Sequence, residues 1–185
     1  MSISCRLVAG MLVCLASLCA GQSVDEVAAE RVLGPHWKQV SRAAGMIFTG
    51  TVLRVRKQPP VPSSPIPAIE ATLQVDHGIA GVRSGQVIRI RQWASAWPLR
   101  VPARGDRRAL FFFYSPGSAG LTSLVGGPEG QVSIDIHGNL LNGRTTAALD
   151  RMRPPRSPRA VQPAPRPVSI AQLERAIRAA REGKD

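Results

Sequence analysis

Short segments in which apolar and polar residues alternate dominate the middle of the sequence. The clearest of them is 68–76, where every second residue is apolar and the residues between are polar or charged. A period of two is typical of a β-strand with one face buried and the other in solvent. The residues that we expect to point inward are Ile69, Ala71, Leu73 and Val75. Similar patterns predict further strands at 46–56, 86–92, 108–114, 121–125 and 132–136.

The first of these strands is expected to be irregular. In 46–56 the period of two places Ile47, Leu53 and Val55 on one face and the arginines on the other. Gly50 interrupts the pattern and predicts a bulge or a sharp bend, because glycine inside a strand often marks one.

Segment 108–114 is apolar on both faces, which predicts a strand in the middle of the sheet or barrel rather than at its edge. Near the end of the β-rich region, Gly138-Asn139 fits a two-residue hairpin turn that leads back to Leu140 and Leu141.

Helical spacing of apolar residues occurs only near the two ends of the chain. A first helix is expected within 24–44, where apolar residues recur at helical spacing, and a second short helix is expected after Pro35 and before Gly45. The apolar residues of the first helix are Val24, Val27, Ala28 and Val32.

A further helix is predicted over 169–183. Ser169 with Gln172 three residues later forms a capping-box signature. One stripe of the helix is apolar and consists of Ile170, Leu173, Ala176, Ile177 and Ala180. Because an isolated helix of this length is marginal in water, the stripe must dock on the protein's own β domain or on a partner.

The first residues have the anatomy of a secretory signal. Arg6 supplies a positive charge, Leu7–Ala20 is apolar, and Ala20-Gly21 is a small-residue exit. The apolar run is shorter than the roughly 20 residues that a membrane span needs. We therefore expect cleavage near Ala20-Gly21 and a secreted or periplasmic protein without a transmembrane segment in its mature chain. A buried N-terminal helix is the alternative.

All three cysteines, Cys5, Cys14 and Cys19, lie inside this predicted signal. The mature chain is then free of cysteine, which excludes a thiolate zinc site, a cysteine nucleophile and disulfides for it. A lipid anchor on Cys19 is disfavoured because Leu18, rather than a small residue, precedes it.

The chain of 185 residues is strongly basic, with a net charge of +12. Arginines occupy the polar positions of two predicted strands and continue into the following loop. If the two strands adjoin, these arginines would share one surface that attracts anionic polymers or acidic partners. The alternative is an ordinary solvated strand face. The strand residues are Arg54, Arg56, Arg89 and Arg91, and those that follow are Arg100, Arg104, Arg107 and Arg108.

Two tryptophans, Trp93 and Trp97, follow the third predicted strand. Beside Arg91 and Arg100 they could stack on a sugar, a base or a partner's side chain. Alternatively, the loop folds back and the indoles close the end of a barrel.

Two histidines are candidate metal ligands. His77 follows Asp76, and His137 lies two residues after Asp135. A metal site needs three or four such ligands to converge, so the alternative is two polar turns. The sequence contains no G-x-S-x-G motif and no pair that suggests a base held beside a nucleophile. We expect no enzyme, no cofactor and no metal.

Several motifs resemble secreted bacterial modules related to the netrin-like domain, the OB-fold unit also found in tissue inhibitors of metalloproteinases. The matching stretches span roughly 40–141 and comprise 44–52, 73–75, 81–91 and 105–114. The resemblance implies an OB fold. It does not carry over the zinc-chelating inhibition of the eukaryotic members, because that mechanism uses an N-terminal cysteine which this mature chain lacks.

Together these observations predict a mainly β protein: a small closed antiparallel OB-like barrel with short N-terminal helices and a C-terminal amphipathic helix after a Pro/Arg-rich linker. The predicted segments are 1–21 (signal peptide), 22–45 (helical segment), 46–149 (barrel), 150–168 (linker) and 169–183 (amphipathic helix).

The expected function is that of an exported, non-catalytic binding module for another exported protein or an anionic envelope polymer. Alternatives are a protease-directed inhibitor, from the resemblance, and a metal-assisted hydrolase using His77 and His137. Export argues against nucleic acid as the partner.

Overall fold

The computed structural model describes residues 23–59, 67–94, 108–135, 137–140 and 167–183. The predicted signal, residues 150–166 of the predicted linker, and Trp97, Arg100, Arg104 and Arg107 lie outside these residues. The described helices are α1 (Val24–Leu33), α2 (Trp37–Ala43) and α3 (Ile170–Glu182). The described strands are β1 (Met46–Gln58), β2 (Ala68–Ala80), β3 (Val87–Trp93), β4 (Arg108–Phe113) and β5 (Gln131–Ser133).

The five strands form one antiparallel sheet in the order β3-β2-β1-β4-β5. The expected mainly β architecture is confirmed, but the sheet is not closed, since no ladder among the described strands joins β3 to β5. The strand predicted at 121–125 is reduced to two isolated bridges. Leu121 bridges Arg91 of β3, and Leu124 bridges Phe113 of β4.

Strand β1 departs most from its predicted pattern. Its pairing with β2 shifts register at three places, one of them between Thr49 and Gly50, where an irregularity was expected. The prediction that Leu53 and Val55 share a buried face with Ile47 is wrong, because Leu53 is 47 % and Val55 36 % exposed. The shift between Val52 and Arg54 leaves Leu53 outside the regular alternation, and β4 covers β1 only up to Thr51.

Strands β2 and β4 follow their predicted patterns. All four inward positions predicted in β2 are buried. The strand continues beyond Asp76 to Ala80, so His77 and Gly78 belong to it rather than to a connector. Strand β4 lies between β1 and β5 and is buried on both faces from Ala109 to Phe113, as its apolar run predicts.

The inner face of the sheet contains an aromatic core. The rings of Phe48, Phe111 and Phe113 lie with their centroids 5.4 to 6.1 Å apart, within the range of favourable aromatic pairs. Aliphatic side chains from β2 and β3, among them Leu73 and Ile90, complete this cluster.

The outer face is covered at one end by the three helices. Residues Ile47, Leu110 and Phe112 of the sheet pack with the apolar stripe of α3, which includes Leu173 and Ile177. The stripe therefore docks on the protein's own fold, and the predicted capping box of Ser169 and Gln172 is present. In α1, by contrast, the predicted apolar face is wrong in part. Val24 and Val27 are exposed, and the residues that pack are Ala28, Ala29 and Val32.

Polar contacts fix α3 to the N-terminal helices. Arg175 donates two hydrogen bonds to the carboxylate of Asp25, at 2.8 and 3.2 Å. Arg181 Nη1 donates to the backbone carbonyls of Ser41 and Ala44, both at 2.6 Å.

Candidate binding face

Four arginines lie on the part of the outer face that the described helices leave uncovered. In the strand register, Thr72 of β2 lies opposite both Arg54 of β1 and Arg89 of β3, and Glu70 lies opposite both Arg56 and Arg91. Residues directly opposite in a sheet point to the same side. We call this surface the arginine face, defined by Arg54, Arg56, Glu70, Thr72, Arg89 and Arg91.

The predicted arginine strands do not adjoin, because β2 lies between them. Neighbouring strands lie about 4.8 Å apart, which sets the backbones of β1 and β3 roughly 10 Å apart. The arginines therefore form two pairs across a polar central strand rather than one continuous cluster. This spacing leaves room for an anionic group to lie over β2 and meet guanidinium groups from both sides.

The arginine face carries an excess of positive charge. Its acidic residue is Glu70, whose carboxylate accepts a hydrogen bond from Gln58 Nε2 at 2.9 Å. Across the described part of the chain, none of the four arginines forms an ion pair. Arg54, Arg56 and Arg89 are exposed. Arg91 is half-buried, and its Nε is shielded from solvent and has no hydrogen-bond partner.

Trp93 lies at the end of β3, within the strand rather than in the loop where it was expected. It pairs with Ala68 and is half-buried. The alternation of β3 places it on the same face as Arg89 and Arg91, next to the arginine face. The interior position at this end of β3 belongs instead to Gln92, which is fully buried.

Gln92 was missed by sequence reasoning. Both of its amide atoms are buried without a hydrogen-bond partner, which is unusual for a side-chain amide in a protein interior. The sequence signal that could have identified it is the alternation itself, since Ile88, Ile90 and Gln92 occupy equivalent positions.

Arg108 belongs to a different environment. Its Nε donates to Asp76 Oδ2 at 3.0 Å. Next to this pair, His77 Nε2 lies 2.7 Å from Glu174 Oε2 of α3. The hydrogen bond with His77 and a second one from Arg178 lower the pKa of Glu174 below its usual range, although partial burial opposes the shift. These pairs mark the boundary between the covered and the uncovered parts of the outer face.

The structure does not bring the two predicted metal-binding pairs together. His77 lies on β2, whereas Asp135 and His137 follow β5, and β1 and β4 separate the two strands. No group of three histidines, cysteines or acidic residues that could hold a metal ion occurs in the described ranges.

Asp135 instead organises a turn. Its carboxylate accepts hydrogen bonds from the backbone N–H groups of Asn139 at 2.7 Å and His137 at 2.9 Å, and these bonds lower its pKa. Asp135 N–H in turn donates to the Asn139 carbonyl at 2.9 Å. The predicted two-residue turn at Gly138-Asn139 is therefore wrong, because Asn139 already pairs with Asp135 and the loop lies between these two residues.

Comparison with known proteins returned no match to a family model, to a curated protein or to a solved structure. None of the described helices is long and apolar enough to cross a membrane. Function must therefore be inferred from the geometry and charge of the arginine face.

Proposed function

We propose that the protein is an exported, non-catalytic binding module that contacts an anionic partner through the arginine face. The observation that carries the proposal is the absence of ion pairs at Arg54, Arg56, Arg89 and Arg91 across the described residues. The arginines of α3 contrast with them, since Arg175 and Arg178 are each paired with a carboxylate.

The chemistry of the surface favours carboxylate or phosphate groups as ligands. A guanidinium group offers a planar set of donors that matches either anion with two parallel hydrogen bonds. A basic surface also raises the association rate of acidic partners through its electrostatic field. Trp93, at the margin of the face, adds a flat apolar surface that can pack against such a partner. An exported protein with an acidic surface and an anionic envelope polymer both fit this chemistry.

The proposal also includes a relationship to closed OB-like barrels and export of the protein. The bridges of Leu121 to β3 and of Leu124 to β4 lie where a further strand would connect the two sides of a barrel. They support a relationship to the closed OB-like barrel of the netrin-like modules. The basic, apolar and small-residue order of residues 6–21 supports export.

The proposal is tested by charge reversal at two positions of the same hairpin. Arg89→Glu changes the arginine face, and Arg83→Glu makes the same change of charge in the turn that precedes β3. Binding of labelled poly-L-glutamate and of a sulfated polysaccharide is measured by fluorescence anisotropy at several salt concentrations.

We expect Arg89→Glu to weaken binding by at least about fivefold, Arg83→Glu to change it little, and wild-type affinity to fall as salt rises. Equal effects of the two substitutions, or binding that is independent of salt, would show that net charge alone or another surface is responsible. Circular dichroism of each variant controls for folding.

A further inference from the structure

Strand β1 has two edges, and only one of them is paired along nearly the whole strand. Strand β2 pairs with it from Ile47 to Gln58, whereas β4 pairs with it only from Met46 to Thr51. Among the described residues, no strand pairs with the other edge of 53–58. We call this segment the free edge. Its backbone groups on that side can accept an added strand.

Apolar side chains on the free edge are exposed. Leu53 and Val55 have the exposures given above, although large aliphatic residues in strands are usually buried. Both side chains are more exposed than that of Val52, which is buried and directly follows the last residue of β1 that pairs with β4. The exposure therefore begins where the pairing with β4 ends.

The charges of the free edge oppose pairing with a second copy of this chain. In a symmetric antiparallel pair centred on Val55, Arg54 would lie directly opposite Arg56 of the second copy, and directly opposed like charges are destabilising. Basic residues on an edge strand are also a common protection against self-association. The same charges favour an acidic strand, and none of Arg54, Arg56 and Lys57 is ion-paired within the described chain.

We propose that the free edge binds an extended acidic peptide by strand addition. This inference rests on the proposed function and specifies its partner. In an added strand, side chains lie opposite those of β1 with Cβ atoms about 5 Å apart. Acidic residues at alternate positions of the peptide would lie beside Arg54 and Arg56, and an apolar residue between them would lie beside Val55. The expected ligand therefore alternates acidic and apolar residues with a period of two.

The probe is a capped peptide in which glutamate and valine alternate over five residues. Two control peptides accompany it, one with the same composition in blocks and one with alternate backbone amides N-methylated. Binding to the full chain is measured by fluorescence anisotropy, and amide hydrogen exchange of 53–58 is followed with and without peptide.

We expect the alternating peptide to bind and to slow exchange within 53–58. The block peptide should bind more weakly and the N-methylated peptide not at all, because N-methylation removes the donors that a strand ladder needs. The double variant Arg54→Glu with Arg56→Glu should lose at least about tenfold in affinity. Arg83→Glu, the same change of charge in the turn that precedes β3, serves as the matched control and should lose less than about threefold.

Four outcomes would overturn the proposal: equal binding of all three peptides, an equal loss with Arg83→Glu, no peptide binding, or exchange in 53–58 that is already fully protected in the free protein. If poly-L-glutamate binding remains sensitive to Arg89→Glu in these cases, the arginine face still binds anions and only the strand addition is wrong. If the folded wild-type protein binds neither poly-L-glutamate nor the alternating peptide, both proposals are rejected. A melting temperature for each variant separates loss of binding from loss of fold.

Discussion

The outer face of the sheet consists of two regions that differ in the residues at their outward positions, apolar in one region and basic in the other. At the start of β1 and in β4, outward positions are apolar, as at Ile47, Leu110 and Phe112, and the three helices cover them. Toward the end of β1, outward positions are arginines, and the described helices do not cover them. The boundary consists of an ion pair within the sheet, Asp76–Arg108, and a hydrogen bond between the sheet and α3, His77–Glu174.

This comparison shows what decides the extent of helix packing. A helix docks where the sheet offers apolar area, since burial of that area is the main favourable contribution. Arginine positions offer little such area, and covering them would require desolvation of unpaired charge. The covered part of the outer face therefore contributes more to stability than the uncovered part does.

The largest expected difference between the regions concerns truncation of apolar side chains. Ile177→Ala removes a fully buried side chain from the covered region and should lower the free energy of unfolding by about 2–5 kcal/mol. Leu53→Ala, in the uncovered region, should cost less than about 1 kcal/mol. Urea unfolding measures both, and similar costs for the two variants would contradict the division.

A smaller effect is expected where Arg181 ties α3 to α2. Arg181→Met keeps the aliphatic stem but leaves the carbonyls of Ser41 and Ala44 without this donor, so we expect a loss of about 1–3 kcal/mol. Arg178→Met, which removes only a contact to Glu174 within the same helix, should cost about 0.5 kcal/mol or less. Thermal unfolding of the two variants measures both losses of stability. A larger loss for Arg178→Met than for Arg181→Met would argue against the view that Arg181 holds α3 to α2.

The boundary between the regions should respond to pH. The hydrogen bond with His77 lowers the pKa of Glu174 in the folded protein, so this contribution to stability is present above the ordinary pKa of a glutamate. It is lost as the pH falls through the lowered pKa. The stability difference between wild type and Glu174→Gln should therefore shrink with acidification. We expect less than about 1 kcal/mol, because the His77 side chain is 45 % exposed. Denaturant titrations across the acidic range test this, and a difference that grows on acidification would contradict it.

The smallest effect is expected on the arginine face itself. Arg89→Ala should change the free energy of unfolding by no more than about 0.5 kcal/mol, because Arg89 is exposed and has no ion-pair partner in the described chain. Equilibrium unfolding measures it. A loss above about 1 kcal/mol would mean that the arginine stabilises the fold, which would weaken the case for a binding role.

Local patterns predicted those features that depend on neighbouring residues. The alternation of 68–76 identified the buried positions of β2, the apolar run of 108–114 placed β4 inside the sheet, and the capping box of Ser169 and Gln172 located the start of α3. In each case, the residues that set the structure lie within a few positions of one another.

Features that depend on distant partners were not predictable in this way. The exposure of Leu53 and Val55 follows from a register shift against β2 and from the end of β4, neither of which the sequence of β1 contains. The sequence places Arg108 in the same basic stretch as the other arginines, yet its side chain pairs with Asp76, 32 residues earlier. The sequence predicted which arginines lie on the polar faces of β1 and β3. It could not predict that β2 lies between these two strands, because strand order depends on pairing between distant segments.

The contact between α1 and α3 has a consequence for the order of events during synthesis. Asp25 and Arg175 are 150 positions apart, so the helical layer cannot form until nearly all of the described chain has left the ribosome. Until then, the apolar side of β4 that carries Phe112 lacks its cover. Contacts of such long range slow folding.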